Sequence, residues 1–400
     1  MPENVTAITE VFADGQKVTA AIIEYAHGID NVKLLKTQYA VEGRTITAVY
    51  ANSKPELTSE GRDGKYVILE LDPEDTLACT IVQNSTGEVK VQPAQVNVRQ
   101  VEDIWTVTGA TYSATGDVLV NNTQINLVVD DFIEQNFWDL KTGQFLRYSL
   151  FIPEHYSADK SYPLVVFIHD RGVCSPTQSL GLVQGLGGVI WASPAEQAKR
   201  ECFVLVPHYA EAIVNDRFET TMHFDLTVDL INSITNHYSI NKQRLYATGQ
   251  SMGCMSMLEM NIKYPHMFAA ALLRAGQWNP DTISAIAENN VWVLVSEGDD
   301  RAFNGMNACM SSLESVGAKI SRAVWNARAS EADQADVVQA MIAESKNIKY
   351  TMFENGTVVP EDEKDDPTIP DMLKNHMHTW KLVYKIESLR DWLFSHEKAN

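Results

Sequence analysis

The sequence predicts an α/β protein, a doubly wound and mostly parallel sheet preceded by an all-β sandwich. Three observations carry this. Up to about residue 125 the chain is broken into short alternating or β-branched runs separated by turn signals. From about residue 126 the runs become continuous and apolar, as in parallel strands buried on both faces. Between those later runs lie segments with the apolar period of helices, and strand and helix then alternate.

The first region, residues 1–125, holds five such runs: Val18–Tyr25, Thr45–Tyr50, Tyr66–Leu71, Thr80–Gln83 and Ile104–Thr108. Turns are expected at Asp14-Gly15, Glu42-Gly43, Asp63-Gly64 and Thr86-Gly87. No convincing amphipathic helix precedes residue 175. Short strands at this spacing suggest an immunoglobulin-like sandwich in architecture, although the Cys…Trp…Cys signature of true immunoglobulin domains is absent.

In the second region, residues 126–400, strands are expected at Leu146–Ile152, Leu164–His169, Cys202–Val206, Arg244–Thr248, Ala269–Arg274, Val291–Ser296 and Ile348–Phe353. Helices are expected at Asp225–His237, where Leu226, Leu230, Ile231 and Ile234 share a face, and at Cys254–Tyr264, Ala302–Val316, Ala332–Ser345 and Leu382–Ser395. The acidic, proline-rich stretch Pro360–Pro370 reads as an exposed loop ahead of the last helix.

A formal net charge of −20 argues against nucleic acid or an anionic membrane surface as partner, since binding phosphates needs clustered Lys and Arg. The longest apolar runs fall far short of the roughly 20 residues of a membrane span. Five scattered cysteines show neither a CxxC pair nor zinc-ligand spacing, so they mark no zinc site; no cofactor is expected. Scattered thiols and the absence of a secretory pattern after Met1 give the expectation of a cytoplasmic protein, or of a secreted one had a leader been removed.

Gly249-Gln250-Ser251-Met252-Gly253 follows one predicted strand and opens a predicted helix, the context a G-x-S-x-G nucleophile elbow requires. Glycine on either side lets strand and helix approach, and the serine projects at the positive end of the helix. The bland alternative is a glycine-rich turn with an ordinary serine. A serine nucleophile needs a base, and the base an orienting acid, which in the α/β-hydrolase fold follow in the order Ser, Asp or Glu, His. Val291–Ser296 ends in Glu297-Gly298-Asp299-Asp300, on the ligand side of a parallel sheet. Asp300 is preferred as the acid, with Asp299 as alternative; either could equally cap the next helix. The last predicted strand is followed by Asn375-His376-Met377-His378 and then by helix; His376 is favoured as base, with His378 as alternative. Oxyanion donors are expected from the backbone N–H of Met252 and of Arg171, in the loop His169-Asp170-Arg171-Gly172. His169 itself reads as structural. The segment Ser175–Trp191, the acidic insertion and Trp278 are expected to border the pocket.

The second region resembles the polyhydroxybutyrate-depolymerase-like esterases, and the whole chain resembles bacterial carboxylesterases that carry an immunoglobulin-like domain ahead of the hydrolase. The residues that carry this are Tyr148-Ser149-Leu150-Phe151-Ile152-Pro153, Tyr162 to His169, Asn241 to Gly253, and Trp380, Tyr384 and Arg390 to Phe394. The resemblance implies a serine esterase acting on carboxylic esters through an acyl-enzyme, with Ser251, Asp300 and a histidine as triad and no metal. Two departures stand out. The usual HG-rich oxyanion loop is His-Asp-Arg-Gly here, and the position three residues before Trp380, where such esterases place histidine, is Met377. The substrate is expected to be a small-molecule or polymer-linked ester, and the β region could support a homo-oligomer. A serine peptidase of the same fold and a binding protein with a vestigial hydrolase domain are the competing readings.

Overall fold

The computed structural model describes residues 2–83, 89–140 and 142–398. The expected turn at Thr86-Gly87 lies outside the described residues. Contacts divide the chain into Met1–Asp131 and Phe132–Asn400. The division falls a few residues after position 125 because Thr123–Asn126 pairs in parallel with the first strand, Pro2–Phe12.

The first unit is a sandwich. One sheet has the order Thr123–Asn126, Pro2–Phe12, Gly15–Ile29, Gly64–Leu71, Ile46–Asn52, and the other Val118–Val120, Asn97–Gln100, Tyr39–Val41. Side chains of a strand alternate between faces. Ala21, Ile23 and Tyr25 therefore join Val41, Val96 and Val98 in the main core, while Ala20 and Ile22 pack with Ile8, Tyr50 and Ile68 on the opposite face.

The second unit is built on a nine-stranded sheet. Its strands are β1 (Phe132–Asp139), β2 (Gln144–Phe151), β3 (Tyr162–Ile168), β4 (Phe203–His208), β5 (Ile240–Gln250), β6 (Ala270–Arg274), β7 (Val291–Ser296), β8 (Ile320–Trp325) and β9 (Ile348–Phe353). The spatial order is β1-β2-β4-β3-β5-β6-β7-β9-β8. Strand β2 pairs antiparallel with both neighbours, and every other pairing is parallel. The helices are α1 (Leu186–Val189), α2 (Pro194–Lys199), α3 (Met222–His237), α4 (Met252–Lys263), α5 (Asp300–Ser315), α6 (Glu331–Ala343), α7 (Asp371–Val383) and α8 (Glu387–Phe394).

Alternation explains the continuous apolar runs. Leu164, Val166 and Ile168 of β3 pack in one core with Leu230 and Ile231 of α3, Met257 and Leu258 of α4, and Met306 and Met310 of α5. Residues of the other parity meet the C-terminal segment instead. Phe167 lies edge-on to Tyr384, Trp292 to Trp392, and Tyr246 packs on Phe394. Both faces of the sheet are covered, which is the α/β-hydrolase arrangement. Among the described residues no helix is long and apolar enough to cross a membrane.

Candidate active site

The elbow is built by exclusion of side-chain atoms. At Gly253 a Cβ would lie 1.9 Å from the Ile168 carbonyl oxygen, and at Gly249 it would lie 2.6 Å from the Gly253 carbonyl carbon. Only glycine lets β3, β5 and α4 come this close. The turn between them falls on Ser251, whose φ of 52° and ψ of −117° are strained for a residue with a Cβ. That strain persists because the ends are fixed: the Ser251 N–H donates to the Arg274 carbonyl at 3.0 Å, and its own carbonyl accepts from Met255 N–H at 3.0 Å. Ser251 thus caps α4, half-buried at the end where the helix carries positive partial charge.

His376 bridges Ser251 to an acid. Its Nε2 accepts from Ser251 Oγ at 2.9 Å, and its Nδ1–H donates to Asp299 Oδ2 at 2.5 Å. The ring stands edge-on to Trp380, one helical turn along α7, with centroids 5.0 Å apart. His378 lies two residues on, roughly 200° round the helix, and so faces away. It is buried and pairs through Nε2 with Glu363 of the acidic insertion at 2.9 Å. Of the two histidines, the favoured one meets the serine.

The acid expected from the sequence, Asp300, is corrected. It is the first residue of α5 and is solvent-exposed. Asp299 is the buried N-cap: Oδ1 accepts from the Ala302 N–H at 3.2 Å, which leaves Oδ2 for His376. One carboxylate both caps the helix and orients the imidazole. The histidine is also carried on a helix, not on a loop before it.

Asn375 is a residue that sequence reasoning missed. Its Oδ1 accepts from Ser296 Oγ at 2.9 Å and from the Gly356 N–H at 3.2 Å, and its Nδ2 donates to the Asp371 carbonyl at 3.0 Å. It ties α7 to the ends of β7 and β9. Its position beside His376 is the only signal the sequence offers.

Met252 and Arg171 both line the cavity at Ser251. Each opens a helical turn, where N–H groups have no partner within the helix. The cavity measures about 390 Å³ and is walled by Ala212, Val214 and Met255, with Asn215, Asp216, Glu219 and Arg301 around them. Arg301 pairs with Asp216. Neither Ser175–Trp191 nor Pro360–Pro370 nor Trp278 lines it, so that expectation is corrected. The first of these packs inward through Leu180, Leu182 and Trp191, and the Trp278 indole is buried with its N–H on Glu259. The border is supplied instead by 212–221. His169 is buried, donates from Nδ1 to the Asp170 carbonyl at 2.7 Å and accepts at Nε2 from the Tyr209 N–H at 3.4 Å. Burial holds its pKa below the ordinary imidazole value.

A hydrogen-bonded serine–histidine–carboxylate chain, its carboxylate buried, at the carboxyl ends of a parallel sheet belongs to the serine hydrolases of the α/β-hydrolase fold. Residues 141–369 match the family described as "Putative esterase", and the chain belongs to that family. Residues 4–113 match the esterase immunoglobulin-like N-terminal domain. A solved thermostable esterase is 27% identical, with a TM-score of 0.84 over 99% of this chain and 100% of that one. More distant are the S954A feruloyl esterase module from Clostridium thermocellum, solved with sinapinate (12% identity, TM-score 0.42, 67% of this chain and 89% of that one), and a ferulic acid esterase from Anaeromyces mucronatus (11%, 0.37, 65% and 91%). No curated protein matches the sequence. The protein is a carboxylic ester hydrolase.

Proposed function

We propose that Ser251, His376 and Asp299 form the catalytic triad of this esterase, with the backbone N–H groups of Met252 and Arg171 as its oxyanion hole. The hydrogen-bonded chain from Ser251 Oγ through the imidazole to Asp299 carries the reading. His376 Nε2 takes the Ser251 proton as Oγ attacks the ester carbonyl, and the carbonyl oxygen becomes an oxyanion held by the two N–H groups. As the tetrahedral intermediate collapses, Nε2–H protonates the departing alcohol and Ser251 keeps the acyl group. Water then repeats the sequence: it loses a proton to Nε2, attacks the acyl carbonyl and releases the acid, and Ser251 regains its proton. Asp299 accepts from Nδ1–H throughout, which fixes the tautomer and favours the imidazolium.

The cavity is at the small end of ligand pockets, which typically span about 300–1,000 Å³. Its wall of Ala212, Val214 and Met255 supports a compact apolar acyl or alcohol group on the substrate. Ser251→Ala should abolish hydrolysis of p-nitrophenyl acetate and labelling by a fluorophosphonate while leaving the circular-dichroism spectrum unchanged. Hydrolysis that survives the substitution would overturn the assignment.

A further inference from the structure

We infer that Asp170 and Gln250 are positioning residues that lock the oxyanion loop to the nucleophile elbow. This rests on the reading that Arg171 N–H is an oxyanion donor. Gln250 immediately precedes Ser251 and is buried at 2% exposure. Its Nε2 donates to Asp170 Oδ2 at 3.0 Å. The other oxygen of the same carboxylate, Oδ1, accepts from the Gly172 N–H at 2.7 Å and so caps the short helical turn Arg171–Val173. One carboxylate therefore holds the peptide on either side of Arg171 to the residue beside the nucleophile.

The rest of the loop is fixed in the same direction. The Ile168 carbonyl is packed where a Cβ of Gly253 would be, and His169 Nδ1–H holds the Asp170 carbonyl at 2.7 Å. In a glycine-rich oxyanion loop the backbone takes its path without such help. Here the sequence is His-Asp-Arg-Gly, and the Asp170–Gln250 bond takes over the task of aiming the Arg171 N–H.

Electrostatics alone would not place a carboxylate there. A negative charge one residue from the donor opposes the negative charge that develops on the substrate. The role is thus geometric, and a neutral side chain that keeps both hydrogen bonds should serve as well. Asparagine is such a side chain. Its oxygen can accept from the Gly172 N–H, and its NH₂ can donate to Gln250 once that amide is turned over.

The test compares Q250L, D170A and D170N on a p-nitrophenyl ester and on the corresponding thionoester, whose sulfur accepts hydrogen bonds poorly. Loosening the hole should lower kcat by about ten-fold or more in Q250L and D170A with KM nearly unchanged, a fraction of the roughly 10²–10³ that a complete oxyanion donor supplies. The oxoester-to-thionoester ratio of kcat/KM should shrink in both, because the thionoester never gained the full benefit of the hole. D170N should retain parental kcat, and D170N combined with Q250L should fall to the level of Q250L alone. A parental kcat in Q250L, or an unchanged oxo-to-thiono ratio, would overturn the inference, and Q250L decides it even if D170A does not fold. Fluorophosphonate labelling of Ser251 in each variant separates this outcome from failure of the nucleophile assignment, because labelling lost only with Ser251→Ala leaves that reading intact.

Discussion

At the scale of single residues, the site turns on which of two neighbours does the chemistry. Asp299 and Asp300 are adjacent, as His376 and His378 nearly are, yet the structure gives each pair opposite surroundings. Asp299 is buried against His376, whereas Asp300 faces solvent. Asp299→Asn should lower kcat by roughly 10³–10⁴, the penalty for an imidazole held in the wrong tautomer. Asp300→Asn should leave kcat near the parental value, because Asp300 is exposed and Nδ1 of His376 is held by Asp299. Likewise His376→Ala should abolish turnover, while His378→Ala should cost stability through its Glu363 contact and leave the triad in place. Steady-state kinetics on the four variants read this directly, and a dead D300N enzyme with an active D299N enzyme would reverse the acid. The sequence favoured the histidine that meets the serine, but for the acid it came only within one position. Hydrophobic periodicity reports where a strand ends, but not which carboxylate just past its end becomes the cap.

At the scale of elements, the buried strands were legible and the edge strands were not. Strand β7 follows from its apolar run to the residue, because both faces are covered, and β9 keeps its expected bounds although buried Lys349 and Thr351 interrupt the apolar residues. Strand β1, FIEQNFWD, and strand β8, ISRAVW, lie at the two edges, where mixed exposure removes the continuous run. Helix α7 escaped for another reason. Its buried face is Lys374, Asn375, His378, Thr379 and Val383, largely polar, while Met372 and Leu373 are exposed, so the apolar pattern does not mark the face that packs. The same polar face is what holds the site, through Asn375 on Ser296 and Gly356. The elbow, by contrast, was plain from its glycines. Gly253→Ala should destabilise the fold by about 3 kcal/mol or more, the upper end of overpacking costs, because the Cβ meets backbone and not a movable side chain. Chemical denaturation measures this; a variant as stable as the parent would mean that β3 and α4 are not in contact here.

At the scale of the whole molecule, the division into a sandwich and a hydrolase unit follows from where periodicity changes along the chain, and each unit has a core of its own. The hydrolase core also encloses titratable groups. His208 is buried with Nε2 on Ser149 Oγ at 2.8 Å. Burial, then the neighbouring His169 and Arg147, holds its pKa well below the ordinary imidazole value, and burial lowers that of His169 too. The unfolded chain takes up protons at these residues near pH 6.5, where the folded chain does not. Stability they contribute is therefore present above that pH and is lost as the pH falls below it. The melting temperature should decline below about pH 6.5, and His208→Gln should flatten the decline by removing one of the groups that titrates. An identical slope in the variant would place the acid sensitivity elsewhere.

Carrying the base on a helix has a consequence for how this enzyme can change over generations. A loop histidine tolerates insertions and deletions beside it, since a flexible segment can absorb them. His376 cannot be so forgiving. Each residue gained or lost between Asp371 and His376 turns the ring by about 100° about the α7 axis and takes it off both Ser251 and Asp299. The stretch Pro360–Pro370, joined to the helix at Glu363 and Lys364, has no register to keep with the triad. Length variation in descendants of this sequence should accumulate up to Pro370 and stop there, so the boundary between a freely drifting surface and a fixed reading frame for catalysis is a single proline.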